Sequence, residues 1–238
     1  MCWLPGSINL FSEVLFLEAR RSAKLGGIFN ALEVGMQEVL LTLVRWTHYV
    51  AGILWIGHLY FFNFVNSNLQ ADARYPGDMK KVVNPLLMTR ALFMFRWGAM
   101  FTFLTGLYMV DALYNHGAVL LDAATNMKAA YMALGAGFGV IMWFNVWFII
   151  WPRQKKMIGA AQGGPAVDPA LPKQAAMASK INTYLSVPLL LGMMGAHEMS
   201  YELPGGLMGL LAGLVFGLAV VWLAYKLAPK VPTQIYKA

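Results

Sequence analysis

The sequence predicts an all-α integral membrane protein, a helical bundle of about five transmembrane helices with an interfacial helix at its N-terminus. Three observations carry that expectation. The hydrophobic fraction is 59% and charged residues make up only 12%, against roughly 45–50% and 25% in soluble domains. The mean hydropathy of +0.56 implies more apolar surface than one soluble core can hide, so the excess must face lipid. The apolar runs are continuous over about 20 residues, the length a helix needs to cross a ~30 Å hydrocarbon core at 1.5 Å per residue. Continuous rather than alternating runs favour helices over strands as the means of satisfying the backbone in lipid.

Residues 1–37 mix apolar residues with Glu13, Glu18, Arg20, Arg21 and Lys24. The apolar run 8–17 is too short to span, and no small-residue cleavage site follows it. This segment is therefore expected to lie as an amphipathic helix at the interface rather than act as a signal peptide. The bundle is expected over 38–228, followed by a short tail, 229–238. Its first span covers 39–65, and its second 86–113, starting after Asn84-Pro85 and carrying Arg90 and Arg96. The third, 129–151, is expected to end at Pro152 and the basic run Arg153, Lys155 and Lys156. A loop rich in Gly, Pro and Ala (GAAQGGPAVDPALP) follows, a flexible connection. The fourth span, 181–198, is interrupted by Pro188, and the fifth covers 205–227. Gly205, Gly209, Gly213 and Gly217 recur every four residues, which lines them on one face and permits close helix contact in lipid. Trp143, Trp147 and Trp151 share that spacing and are expected to anchor the third span at the inner interface.

The net charge of +7 could suggest nucleic acid. The basic residues lie instead in short loops beside apolar runs, where they determine topology and meet anionic lipid. Arg74, Lys80 and Lys81, then Arg153, Lys155, Lys156 and Lys173, then Lys226, Lys230 and Lys237 fall in alternate loops and the tail. The loops between hold Asp122 and Glu202. The pattern places the C-terminus inside and the N-terminus outside, although Arg20, Arg21 and Lys24 oppose the second assignment. A multi-pass protein of a bacterial inner membrane fits this distribution. The single cysteine, Cys2, excludes an internal disulfide and a cysteine-based metal or iron–sulfur site, and no CxxCH occurs.

Ionisable residues inside lipid cost at least ~2.5 kcal/mol each, so every one needs a reason. The predicted orientation sorts them into two layers. Arg45, His48, Asp111, His197 and Glu198 belong to the outer one, and His58, Arg96, Asn145, Asn182 and Ser186 to the inner. His48 and His197, on different helices at matching depth, are the minimal ligand set for the iron of a bis-histidine haem b. Each could equally be a helix-end residue satisfied by a carboxylate such as Glu198 or by a headgroup. Gly52, one turn from His48, and Gly192 and Gly195 beside His197 would let a flat macrocycle approach the backbone, with Arg45 placed near a propionate. His58 is ten residues beyond His48, ~15 Å along the axis, so the two cannot share one metal. His58, Arg96 and Asn145 form either a quinone-head or proton-handling site or an internal hydrogen-bond network. His116 is expected to be a solvated loop residue.

Four strings follow one another in order: RWTHYVAGILWIGHLYFFNFVNSNL, FRWGAMFTFLTGLYM, MWFNVWFIIWPRQKKMI and INTYLSVPLLLGMMGAH. Together, over roughly residues 40–200, they resemble the membrane domain of the integral-membrane, cytochrome c-type urate oxidase (urate hydroxylase) family. The resemblance implies a redox membrane domain followed by a periplasm-facing cytochrome c domain, urate as substrate, and His48 and His197 on the family's histidines. This sequence departs from the pattern. It has no CxxCH, and Phe93 and Gly98 flank Arg96-Trp97 where the family carries a histidine and a glutamate around a Lys-Trp pair. His58 is an addition at a position where small residues are usual. The expectation is a membrane redox subunit resembling a b-type cytochrome, working with a c-type cytochrome or other membrane subunits. A structural accessory subunit and a split urate oxidase are the alternatives.

Overall fold

A computed structural model of the chain describes residues 10–113, 116–124, 126–198 and 205–231. They form seven α-helices: α1 (Leu10–Tyr60), α2 (Ser67–Ala71), α3 (Gly77–Leu113), α4 (Met127–Phe144), α5 (Trp151–Ala161), α6 (Ala170–Glu198) and α7 (Gly205–Leu227). Two π-helical turns, Phe61–Asn66 and Asn145–Ile150, join α1 to α2 and α4 to α5 without a break. No strand occurs among the described residues. Four stretches are long and apolar enough to cross a membrane: Leu15–Ala71, Gly77–Leu113, Met127–Ala161 and Gly206–Lys230. The protein is thus a multi-pass helical membrane protein.

The chain divides into two units, Met1–Arg45 and Trp46–Ala238. The described part of the first is the N-terminal portion of α1, with Phe29, Leu32, Val39 and Leu43 exposed along it. No helix boundary falls near residues 37–38, where the sequence suggested one.

In the second unit α6 is the central element. Asn182, Thr183, Ser186 and Ala196 are fully buried on it, so its polar face is turned to protein. That position explains why the polar α6 is the least obvious span in the sequence. It runs antiparallel along α4: Asn182 meets Met142 and Asn145, while Gly192 abuts Gly135 and Gly195 lies against the Tyr131 ring. α7 packs on α6 through Gly213 against Leu191 and Gly217 against Val187. The glycine face of the fifth span is therefore used within the chain at these two positions. α3 meets α4 through a Phe103–Trp143 stack with ring centroids 4.1 Å apart and an edge-on Trp97–Trp147 pair at 5.7 Å. At Gly98 an added Cβ would stand 3.0 Å from both the Ala51 carbonyl oxygen and the Trp55 amide nitrogen, so only glycine permits this approach of α3 to α1.

Three expected helix boundaries move. α3 starts before Pro85 and α6 runs through Pro188. The helix expected to stop at Pro152 continues to Ala161. Proline removes an amide donor and crowds the preceding turn, and the widened turn Asn145–Ile150, immediately upstream, accommodates both. The tryptophan stripe packs against α3. Trp143 and Trp147 meet α3, and Trp151 lies beneath the Arg96 guanidinium, 3.8 Å from its ring centroid.

Candidate functional site

His48 is half-buried on α1, facing α3 across Gly106, whose added Cβ would meet the imidazole Cε1 at 3.3 Å. Its Nδ1 lies 3.1 Å from Thr105 Oγ1. The Thr105 hydroxyl also lies 2.5 Å from the Phe101 carbonyl and 3.2 Å from the Thr102 carbonyl. With its proton on the Phe101 carbonyl, Thr105 accepts from His48, whose imidazole then carries its proton on Nδ1 and leaves the Nε2 lone pair unprotonated. One turn on, a side chain added at Gly52 would meet only Thr102 Oγ1, at 4.0 Å. A Cβ there would thus be in ordinary contact with α3. Arg45 is exposed and belongs to the first unit.

His197 lies in the last turn of α6, but its side chain and that of Glu198 lie outside the described residues. Its level along the helix follows from backbone register. Tyr60 OH lies 2.9 Å from Ser186 Oγ, and Asn63 Nδ2 donates to Ser179 Oγ at 2.8 Å, so α1 and α6 run antiparallel here. From the Tyr60–Ser186 contact, His48 is ~18 Å along its helix and residue 197 ~17 Å along the other, in the same direction. Gly192 and Gly195 do not open a space for a macrocycle, because α4 fills both positions.

The inner trio does not converge. His58 donates Nδ1–H to the Leu54 carbonyl at 2.6 Å, within its own helix. Arg96 covers the Trp151 ring, and Asn145 donates Nδ2–H to Asn182 Oδ1 at 2.7 Å. What does assemble is a buried polar seam along α6. Asn182 donates to the Met142 carbonyl at 3.0 Å while accepting from Asn145. Ser186 bonds the Thr183 carbonyl at 2.7 Å. Asn63 donates to Ser179 and the Leu59 carbonyl, and accepts from Tyr225 OH at 2.9 Å. Asn63 and Asn145 each stand in one of the π-helical turns, so both irregular turns aim an amide at α6. Sequence reasoning found Asn145, Asn182 and Ser186 but missed Tyr60, Asn63, Ser179, Thr183 and Tyr225. The signal was present: Ser179, Asn182, Thr183 and Ser186 recur at three and four residues, one helix face.

A family model described as urate oxidase N-terminal matches residues 35–127 and 118–227. No curated protein and no solved structure matches the chain.

Proposed function

The chain belongs to the urate oxidase N-terminal family, and from that membership we propose that it is a membrane redox subunit of a bacterial cytoplasmic membrane, a b-type cytochrome-like bundle that exchanges electrons with a c-type cytochrome. The observation that supports this reading is the contact of His48 Nδ1 with Thr105 Oγ1. A metal-ligating histidine characteristically donates its other ring N–H to a protein acceptor, which orients the ring and raises ligand basicity. Thr105 serves His48 in that way. His58 also has an unprotonated Nε2, but it stands near the level of Ser186, where α6 presents Ser186 and Pro188 and no second ligand. Residue 197, level with His48, is a histidine.

In this reading His48 Nε2 and His197 hold the iron of a haem b, which supplies a one-electron store when bound. Thr105 would orient the His48 ring through its Nδ1. Urate chemistry is not assigned to the second span, because Gly98 leaves no room for a side chain between α3 and α1. The purified protein should give a reduced-minus-oxidised spectrum and pyridine haemochrome of the b type. His48→Ala and His197→Ala should each abolish it, His58→Ala should keep it, and Thr105→Val should weaken haem retention about 10- to 100-fold. Haem-free native protein would leave only the structural role, and loss of haem in His58→Ala alone would place the ligand in the wrong layer.

A further inference from the structure

α1 carries Leu25, Phe29, Leu32, Met36, Val39, Leu43, Trp46, Val50 and Ile53 at steps that alternate between four and three residues. That is the a and d spacing of four consecutive heptads, bounded by Ser22 before it and Gly57 after it. All nine side chains are exposed, by 38% to 72%. Within the second unit, the packed side of α1 is a different one: Ala51 and Trp55, at b and f, are buried, and their backbone meets α3 at Gly98. Lipid alone does not require this spacing. A fluid surface accepts apolar residues anywhere on a helix face, whereas a seven-residue repeat held over four heptads keeps one seam turned to one helical partner. Asn30, Glu33, Gln37 and Glu38 lie between the seam positions, and carboxylates are costly among acyl chains.

We propose that the a and d seam of α1 is the interface between two copies of this chain, paired in parallel about an axis along the membrane normal. Copies inserted the same way in one membrane present α1 in the same direction, and the seam is self-complementary, a on a and d on d. Glu33 is the one charged residue at an e or g position between Leu25 and Ile53. In parallel register it faces Ile28 of the second copy, so no like charges meet. Gly26 at e and Gly35 at g flank the seam, and an added Cβ at either would meet nothing within 4 Å, which leaves room for close approach. The area also suffices. A fully exposed apolar side chain offers roughly 60–120 Å². Nine of them, exposed by 38% to 72%, supply about 500 Å² per copy, so a pair buries about 1,000 Å², where specific interfaces begin. The seam contains none of the residues assigned to haem.

The test uses the full chain in a Cys2→Ser background, with single cysteines oxidised in native membranes. Phe29→Cys, Met36→Cys and Val50→Cys, all at a, should each give a disulfide-linked dimer. Asn30→Cys and Gln37→Cys, exposed at b, should not. Native mass spectrometry of the purified wild type should read two chains. Leu32→Glu with Met36→Glu should reduce that to one, with circular dichroism confirming that the helices remain. Val34→Glu with Gln37→Glu, at f and b, adds the same charge off the seam and should leave two. Single-chain wild type, equal cross-linking at a and b, cross-linking at one a position only (the mark of an antiparallel pair), or two chains in the Leu32 and Met36 variant would each overturn the proposal.

Discussion

His48 and His58 stand on the same helix and both give Nδ1–H away, yet the acceptors differ in kind. Leu54 lies one turn back in His58's own helix, so that bond merely satisfies a half-buried ring. Thr105 belongs to α3, so its contact holds the His48 ring from a neighbouring helix. Residue type and depth were legible in the sequence, whereas a hydroxyl 57 positions away was not, because tautomer is a property of tertiary contact. The same holds for His116, expected to be merely solvated. It takes a left-handed backbone (φ 55°) after α3, and its Nδ1 lies 2.5 Å from Asp111 Oδ1. That hydrogen bond, and then the carboxylate charge, raise its pKa above the ordinary imidazole value. A raised folded pKa means that the pair contributes fully below about pH 6.5 and loses its contribution as pH rises through the raised value. Both side chains are exposed, so the effect on stability is slight, and titration is the better observable. Proton NMR of the His116 ring should show a pKa above the ordinary value, and Asp111→Asn should bring it down. An identical titration in the two proteins would mean that the pair does not form in solution.

At the scale of elements, backbone proximity sets the tolerances. Without water to drive association, helices in lipid depend on close packing, and the glycines mark where it is closest. A Cβ at Gly192 would stand 2.5 Å from the Gly135 amide nitrogen and 2.6 Å from the Tyr131 carbonyl oxygen, both backbone atoms that cannot swing aside. Gly137, on the same α4, has nothing within 4 Å. Gly192→Ala should therefore destabilise the protein by about 1–3 kcal/mol, as overpacking does. Gly137→Ala should be neutral or stabilising by up to ~1 kcal/mol through helix propensity. Thermal unfolding in one detergent checks both, and similar melting temperatures would count against the α4–α6 contact. The sequence marked small residues on α6 and α7 but not their partners, since a four-residue spacing says which residues share a face and not what meets it. Span centres were equally legible, because hydropathy reports the lipid-crossing part of a helix. Span ends were not. Polar residues extend α3 toward Gly77 and α6 toward Ala170 beyond the apolar runs. Prolines that would end soluble helices are carried inside these, where neighbouring helices and local widening compensate.

Across the whole molecule, the number of crossings fixes which side each loop faces, and α6 is the element on which that number depends. Hydrogen bonds gather one set of helix ends: Asn63 with Ser179 and Tyr225, and Arg153 with Gln174. Near this end lie Arg74, Lys80, Lys81, Lys155, Lys156, Lys173, Lys180, Lys226 and Lys230. At the other end the Tyr131 hydroxyl joins the start of α4 to the start of α7 through the Gly206 carbonyl, and Lys128 is the described lysine nearby. By the excess of cations the first end is the one expected to face the cytoplasm. Cys2 is the sole cysteine, so a Cys2→Ser background allows single thiols to report sidedness. In intact cells an impermeant thiol reagent should label Leu121→Cys, in the 86% exposed position between α3 and α4. Asp78→Cys and Gln162→Cys should react only after lysis. Glu202→Cys, between α6 and α7, decides the count. If α6 crosses with α4, position 202 is labelled from outside like 121, and Lys226 and Lys230 return inside with the other cations. If α6 were a buried helix that entered and left on one face, position 202 would behave like 162, and α7 would carry its two terminal lysines to the outer face, against the charge asymmetry that orients every other loop.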